Sequence, residues 1–261
     1  MKELTILTLF GGRWHTLEPY LHGLLNLDWP VKGLKLLWYT NAERSFVECL
    51  RWHQGRLKRK GYRIHLVPDP VLPPSGYVFS EGADVRSFEH ANTIAALYDA
   101  AWQHVETDDI LALEDDVLIP SHALKRLARL LDEQPKASIA VACVFSRHPG
   151  NMLFVWQLAS VPVYQNGSVN TRYELHPFHR PWGIQKVSAG GLSCTLIRRS
   201  RLPKALASNG LLFKAKNPFE SQDLLNGCDI VLCLENQRYG GEVWCDFDVR
   251  PLHIDSKGGV H

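Results

Sequence analysis

The stretch from Asp108 to Ser121, Asp-Asp-Ile-Leu-Ala-Leu-Glu-Asp-Asp-Val-Leu-Ile-Pro-Ser, constrains the fold of this chain more than any other. An apolar run of strand length, Ile110 to Leu113, ends in three consecutive carboxylates: Glu114, Asp115 and Asp116. A buried strand has no place for three acids in a row, because each ionised carboxylate is costly to bury unpaired. The triplet therefore marks where the strand leaves the core and meets a cleft, a cation or water. Hard divalent cations take oxygen ligands, and Mg²⁺ or Mn²⁺ beside a diphosphate commonly needs only one or two carboxylates. Glu114 and Asp116 stand at i and i+2, on the same side of an extended backbone. The same residues also fit a plain acidic strand-to-helix loop, with Ser121 or Asp116 capping a helix that begins near His122.

Around this stretch the chain alternates strands and helices. Leu4 to Phe10 is a near-continuous apolar run, as in a buried parallel strand, broken by Gly11-Gly12. Leu17, Leu21, Leu24 and Leu25 then recur at helical spacing, and a second strand, Leu34 to Tyr39, ends in Thr40-Asn41. An amphipathic helix over Glu43 to Lys60, with Gly61 at its end, leads to a third strand, Tyr62 to Val67. A long helix over Arg86 to Val105 precedes the acidic strand; a helix from Ser121 to Glu133 and a strand from Ser138 to Phe145 follow it. This β-α-β pattern predicts an open, mostly parallel sheet with helices on both faces. After Gly150 an Asn166-Gly167 hairpin signal, a Gly-led strand from Ser188 to Ile197, a helix from Gln222 to Tyr239 and two strands, Glu242 to Phe247 and Asp248 to Ile254, predict a smaller antiparallel portion. Three irregular stretches, Pro68 to Gly82, Leu175 to Lys186 and Phe213 to Ser221, are expected as loops flanking a cleft. With 261 residues, no repeat and no low-complexity tract, the chain reads as a single domain over 1–261 with functional halves 1–120 and 121–261.

Composition narrows the function classes. A formal net charge of +2 excludes a surface built wholly for nucleic acid, although the run Arg51, Arg56, Lys58, Arg59, Lys60 and Arg63 fits either phosphate contacts or a solvated helix face. No apolar segment reaches the roughly 18 residues of a membrane span, and Met1 leads directly into a strand without a signal peptide. The expectation is a cytoplasmic protein, its six cysteines reduced in the core. Cys228, Cys233, Cys245 and His253 lack the Cys-x-x-Cys spacing of zinc sites.

In their order along the chain, the strand, acidic triplet, Gly-Gly strand, acid at a helix start and C-terminal strand ending in His resemble the GT-A-fold glycosyltransferases. The similarity is closest to the family-two group of nucleotide-sugar transferases. It spans Leu4 to His253 and rests on short motifs rather than long identical stretches. The resemblance implies that Glu114-Asp115-Asp116 stands for the family's Asp-x-Asp motif, with Asp116, Glu114 and His253 holding Mn²⁺ or Mg²⁺. It implies a nucleotide-diphosphate sugar, UDP-linked, as donor, contacted by Thr8, Phe10, Asn41, Glu114, Asp115 and the cleft-lining Gly190-Gly191. Asp229 matches the catalytic base, with inversion at the sugar, but Cys228 replaces the Glu that usually precedes it. The acceptor is left open among saccharide, lipid-linked glycan and modified nucleic acid, the last reached through the basic 51–63 stretch.

Two other readings fit parts of the sequence. Leu9-Phe-Gly11-Gly12-Arg13 faintly echoes the phosphate-cradling loop of sugar-1-phosphate nucleotidyltransferases, but Tyr20 rather than Lys follows Pro19. A non-catalytic sugar- or nucleic-acid-binding relative on the same fold is the other, with Asp229 paired to Arg238 and His253 a satisfied core residue. Trp182, beside His179 and Arg180, fits stacking on an acceptor ring or anchoring of its own loop.

Overall fold

The apolar run at the start of the chain forms β1 (Leu4–Phe10), and only Leu9 in it is not fully buried. The computed structural model of the chain describes residues 2–69, 88–145, 153–165, 168–178, 181–208, 212–213, 227–255 and 259–260. Parallel to β1 lie β2 (Leu34–Thr40) on one side and β4 (Asp109–Leu113) on the other, and β3 (Arg63–Pro68) extends the sheet beyond β2. Parallel neighbours require crossovers, and α1 (Trp14–Leu25), α2 (Arg44–Arg59) and α3 (Phe88–Trp102) lie along them. Past β4 the sheet continues through β11 (Cys194–Arg198), β6 (Ala137–Ala142), β12 (Glu242–Asp246) and β9 (Ile184–Val187). Six of the eight strands run parallel; β11 and β9 run against them. The sheet thus draws strands from both halves of the chain.

Each face of the sheet carries its own apolar layer. α1, α2 and α4 (Ala123–Glu133) cover one, through Leu17, Leu21, Phe46, Leu50, Leu124 and Leu127. α3 and α6 (Cys228–Arg238) cover the other, through Tyr98, Ala101, Trp102, Leu232 and Cys233. The smaller antiparallel portion is the hairpin β7 (Val155–Gln165) and β8 (Ser168–Pro177), joined at β7 by β10 (Ala189–Gly190). A two-stranded pair, β5 (Val117–Leu118) with β13 (Leu252–His253), and the short α5 (Lys204–Ser208) complete the described elements. All six cysteines are free, and five are buried. Among the described residues no helix is long and apolar enough to cross a membrane.

Several expectations need correction. The stretch Ser188–Ile197 is two strands in different sheets: β10 pairs with β7, and β11 enters the main sheet between β4 and β6. Gly190 makes the first placement possible, since a Cβ there would come within 2.8 Å of Val141 on β6. Neither Asp116 nor Ser121 caps α4; His122 holds the cap position, without a side-chain hydrogen bond. Asp248–Ile254 is mostly irregular, with the Arg250 Nε–H donating to the Phe247 carbonyl at 3.0 Å, and only Leu252–His253 is strand. Residues 86–87, the Asn166-Gly167 turn, 222–226, 70–82 and 214–221 lie outside the described residues. The expected loop Leu175–Lys186 is described apart from 179–180 and is strand at both ends, since β8 runs through Pro177 and β9 begins at Ile184, where pairing with β12 extends the main sheet.

The basic run is displayed on the outer side of α2, where Arg51, Lys58, Arg59 and Lys60 are exposed. Arg63 at the start of β3 donates to Glu3 and to the Lys32 carbonyl. These cations gather toward the amino ends of β2 and β3, the edge of the sheet opposite Phe10 and Thr40.

Candidate functional site

The carboxyl ends of β1, β2 and β4 face the same way, the usual ligand side of an open α/β sheet. β1 runs out into Gly11-Gly12-Arg13. Gly12 has φ +85°, a left-handed conformation that favours glycine, and the turn directs Arg13 back under the acidic triplet. β4 runs out into Glu114–Asp116, held by the Glu114 amide on the Ser193 carbonyl at 3.1 Å and the Val117 amide on the Glu114 carbonyl at 3.3 Å. β5 then pairs antiparallel with β13, His253 opposite Val117, and the Ile254 amide donates to the Asp116 carbonyl at 2.8 Å. A two-residue strand pair thus brings the C-terminal histidine beside the triplet.

Glu114, Asp116 and His253 each offer a ligand atom, all within 4.8 Å of one another. His253 Nδ1–H donates to the Phe145 carbonyl at 2.6 Å, which leaves Nε2 facing Glu114 Oε2 at 3.5 Å. Glu114 Oε2 also accepts from the Ser193 hydroxyl at 2.9 Å. Two carboxylates and one imidazole can hold a divalent cation, and none of the six cysteines joins the cluster. Burial pulls the His253 imidazole toward the neutral form. The hydrogen bond and charge of Glu114, with Asp116 and the Phe145 carbonyl, outweigh it and leave the pKa raised.

Asp115 turns the other way. Its Oδ2 accepts from the Gly11 amide at 3.1 Å and its Oδ1 meets Arg13 Nη2 at 2.6 Å. Arg13 Nη1 reaches Asp116 Oδ2 as well. Burial pushes the Asp115 carboxyl up to about 6; Arg13 opposes the shift, and neighbouring Asp116 adds to it.

One pocket gathers Phe10, Asn41, Glu114, Asp116, Asp229 and His253. The other residues singled out by sequence do not line it. Thr8 is buried, its hydroxyl hydrogen-bonded to the Tyr20 hydroxyl at 2.8 Å. Asp115 is committed to Gly11 and Arg13, and Gly190 lies over Val141. Gly191 backs onto Asp229: a Cβ there would lie 3.7 Å from Asp229 Oδ2. Asp229 itself sits in the first turn of α6, its Oδ1 accepting from the Ile230 amide at 2.9 Å. Arg238 pairs with Glu235 rather than with Asp229. Sequence reasoning missed Arg13, Ser193, Tyr98 and Trp156 on the pocket wall. Of these only Arg13 carried a signal, as the cation that follows the glycines where the first strand ends.

No protein-family model matches the sequence, and no curated protein matches it. Solved structures do. A fragment of S. aureus TarS, residues 1–349, superposes with a TM-score of 0.58 at 11% identity over 95% of this chain and 59% of its own. GalNAc-T7 with UDP, GalNAc and Mn²⁺ superposes at 0.61 and 10% identity over 97% of this chain and 44% of its own. Both are glycosyltransferases of one fold type. The fold is GT-A. The same TarS fragment bound to UDP-GlcNAc matches at 0.55 and 12% identity. The chain spans less than two thirds of the length of each of these relatives.

Proposed function

We propose that the chain is a divalent-metal-dependent glycosyltransferase. It moves a sugar from a nucleotide-diphosphate sugar, UDP-linked, to an acceptor hydroxyl. The observation that carries this reading is the convergence of Glu114, Asp116 and His253 in a pocket shared with Phe10, Asn41 and Asp229. The GT-A fold, and the UDP, UDP-GlcNAc and Mn²⁺ held by its structural relatives, support it.

Each side chain then has a defined task. Phe10 and Asn41, at the ends of β1 and β2, take the nucleoside portion. Asp116, Glu114 and His253 hold Mn²⁺ or Mg²⁺, which when bound supplies positive charge to the leaving diphosphate. Asp229 accepts the proton of the acceptor hydroxyl as its oxygen bonds to the anomeric carbon and the bond from that carbon to the diphosphate oxygen breaks. A single displacement of this kind inverts the anomeric centre. The nucleotidyltransferase reading loses a phosphate donor, because the Gly11 amide is given to Asp115. The basic 51–63 stretch lies toward the amino ends of β2 and β3 and does not line the pocket.

The test is a panel of nucleotide-sugars with Mn²⁺, scored for binding, slow hydrolysis and transfer. Asp229→Asn should bind donor as wild type does yet lose about 10²–10⁴-fold in rate, the usual effect of removing a general base. Transfer at near wild-type rate by folded Asp229→Asn would remove Asp229 from the mechanism. Failure of every nucleotide-sugar to bind would overturn the function itself.

A further inference from the structure

Asp115 and Asp116 are adjacent, and both are almost wholly buried. Two such carboxylates repel each other strongly unless a cation is built in beside them. The described structure puts Arg13 there. Its Nη2 lies 2.6 Å from Asp115 Oδ1, and its Nη1 meets Asp116 Oδ2, so one guanidinium bridges both groups. The flat fork of an arginine suits this two-point contact better than the point charge of a lysine. The backbone is committed to the arrangement too. Gly12 takes a left-handed turn before Arg13, and the Gly11 amide donates to the second oxygen of Asp115.

Asp116 also belongs to the cluster with Glu114 and His253. The guanidinium therefore occupies the carboxylate that a divalent ion would use. Arg13 offsets part of the negative charge that Glu114, Asp115 and Asp116 present to a divalent ion.

We propose that Arg13 is the built-in counter-ion of the cation site: it holds Asp115 and Asp116 together before an ion arrives, and its charge sets how tightly that ion binds. The inference rests on the reading of Glu114, Asp116 and His253 as a cation site. Arg13 acts through the carboxylates, which makes it a positioning residue. It also predicts a direction that a purely structural arginine would not: removing it weakens the empty protein and strengthens the hold on metal.

The experiment is titration of Mn²⁺ into the whole chain at one neutral pH, paired with thermal unfolding in EDTA and in Mn²⁺. Arg13→Gln should unfold at lower temperature than wild type in EDTA, recover more than wild type on adding Mn²⁺, and bind Mn²⁺ about tenfold more tightly, as expected for losing one nearby positive charge. Asp115→Asn, which removes a negative charge, should bind Mn²⁺ about tenfold more weakly. The double variant restores the balance and should return close to wild-type affinity, the sum of two opposite charge changes of similar size. Folded Arg13→Gln with equal or weaker Mn²⁺ affinity would overturn the proposal. If Arg13→Gln does not fold, an Asp115→Asn affinity at or above wild type overturns it instead. Wild-type protein that binds neither Mn²⁺ nor Mg²⁺ would remove the cation site, and the role of Arg13 with it. Wild-type binding that no variant shifts would remove the role of Arg13 alone.

Discussion

Gly190 shows how far one atom matters in this chain. Its Cα lies against Val141, and an added Cβ would come within 2.8 Å of both Val141 methyls. Gly190→Ala should cost about 1–3 kcal/mol, the usual range for overpacking a core. Adding Val141→Ala should recover part of the loss, and chemical denaturation of the three variants would show it. A Gly190→Ala protein as stable as wild type would mean that β10 does not pack on β6 as described. The residue scale also shows what a sequence can carry. Three acids at the end of an apolar strand have few physical explanations, so Glu114 and Asp116 were legible. Thr8 was not: it lies two positions before Phe10 on the same side of β1, roughly 6–7 Å deeper at strand spacing, where the Tyr20 hydroxyl covers it. Arg13 was hidden for the opposite reason. A lone arginine after two glycines suits many roles, and only the fold places it under the carboxylates.

Between elements, the junction of β4 and β11 depends on a buried ion pair. Arg198 lies opposite Asp109 in the register, its Nε and Nη2 donating to the two carboxylate oxygens at 2.8 and 3.0 Å. Lys2 approaches the same carboxylate at 2.6 Å, and Asp132 takes Arg198 Nη1 at 2.8 Å. Asp109→Asn leaves Arg198 buried with less compensating charge and should cost about 3 kcal/mol, the low end for breaking a buried pair, since Asp132 remains. Burial raises the Asp109 pKa, but the hydrogen bonds from Arg198 and Lys2 outweigh it and hold the value below the usual carboxylate range. The native pKa therefore lies below the unfolded one. Its stabilisation is present above the unfolded value of about 4 and is lost as pH falls through the depressed native value. Unfolding of wild type and Asp109→Asn should differ at neutral pH and converge in strong acid; a gap that stays constant would contradict this. None of this pairing is visible in the sequence. The apolar run Cys194–Ile197 suits any buried strand, and only pairing between distant segments inserts β11, antiparallel, between β4 and β6. Alternation along the first 70 residues was legible because each crossover is local.

Taken whole, the molecule brings together residues separated by more than a hundred positions. Arg13 follows β1, the triplet follows β4, His253 lies on β13 of the two-stranded pair and Asp229 lies on α6, and all meet beyond the carboxyl ends of β1 and β4. Pairing between distant segments makes this gathering, which is why the residues of the pocket wall were not legible in the sequence. Tyr98 and Trp156 reach the pocket from α3 and β7, whose packing on the sheet no short motif records. In the proposed function Glu114, Asp116 and His253 join a divalent ion to a nucleotide diphosphate. Calorimetric titration of UDP into wild type and Asp116→Ala, each in Mn²⁺ and in EDTA, tests it most directly. Mn²⁺ should tighten UDP binding to wild type by about tenfold or more, as expected where a cation bridges protein and diphosphate, and folded Asp116→Ala should lose that tightening. Equal UDP affinity with Mn²⁺ and with EDTA, in both proteins, would mean that no ion bridges these residues and the diphosphate.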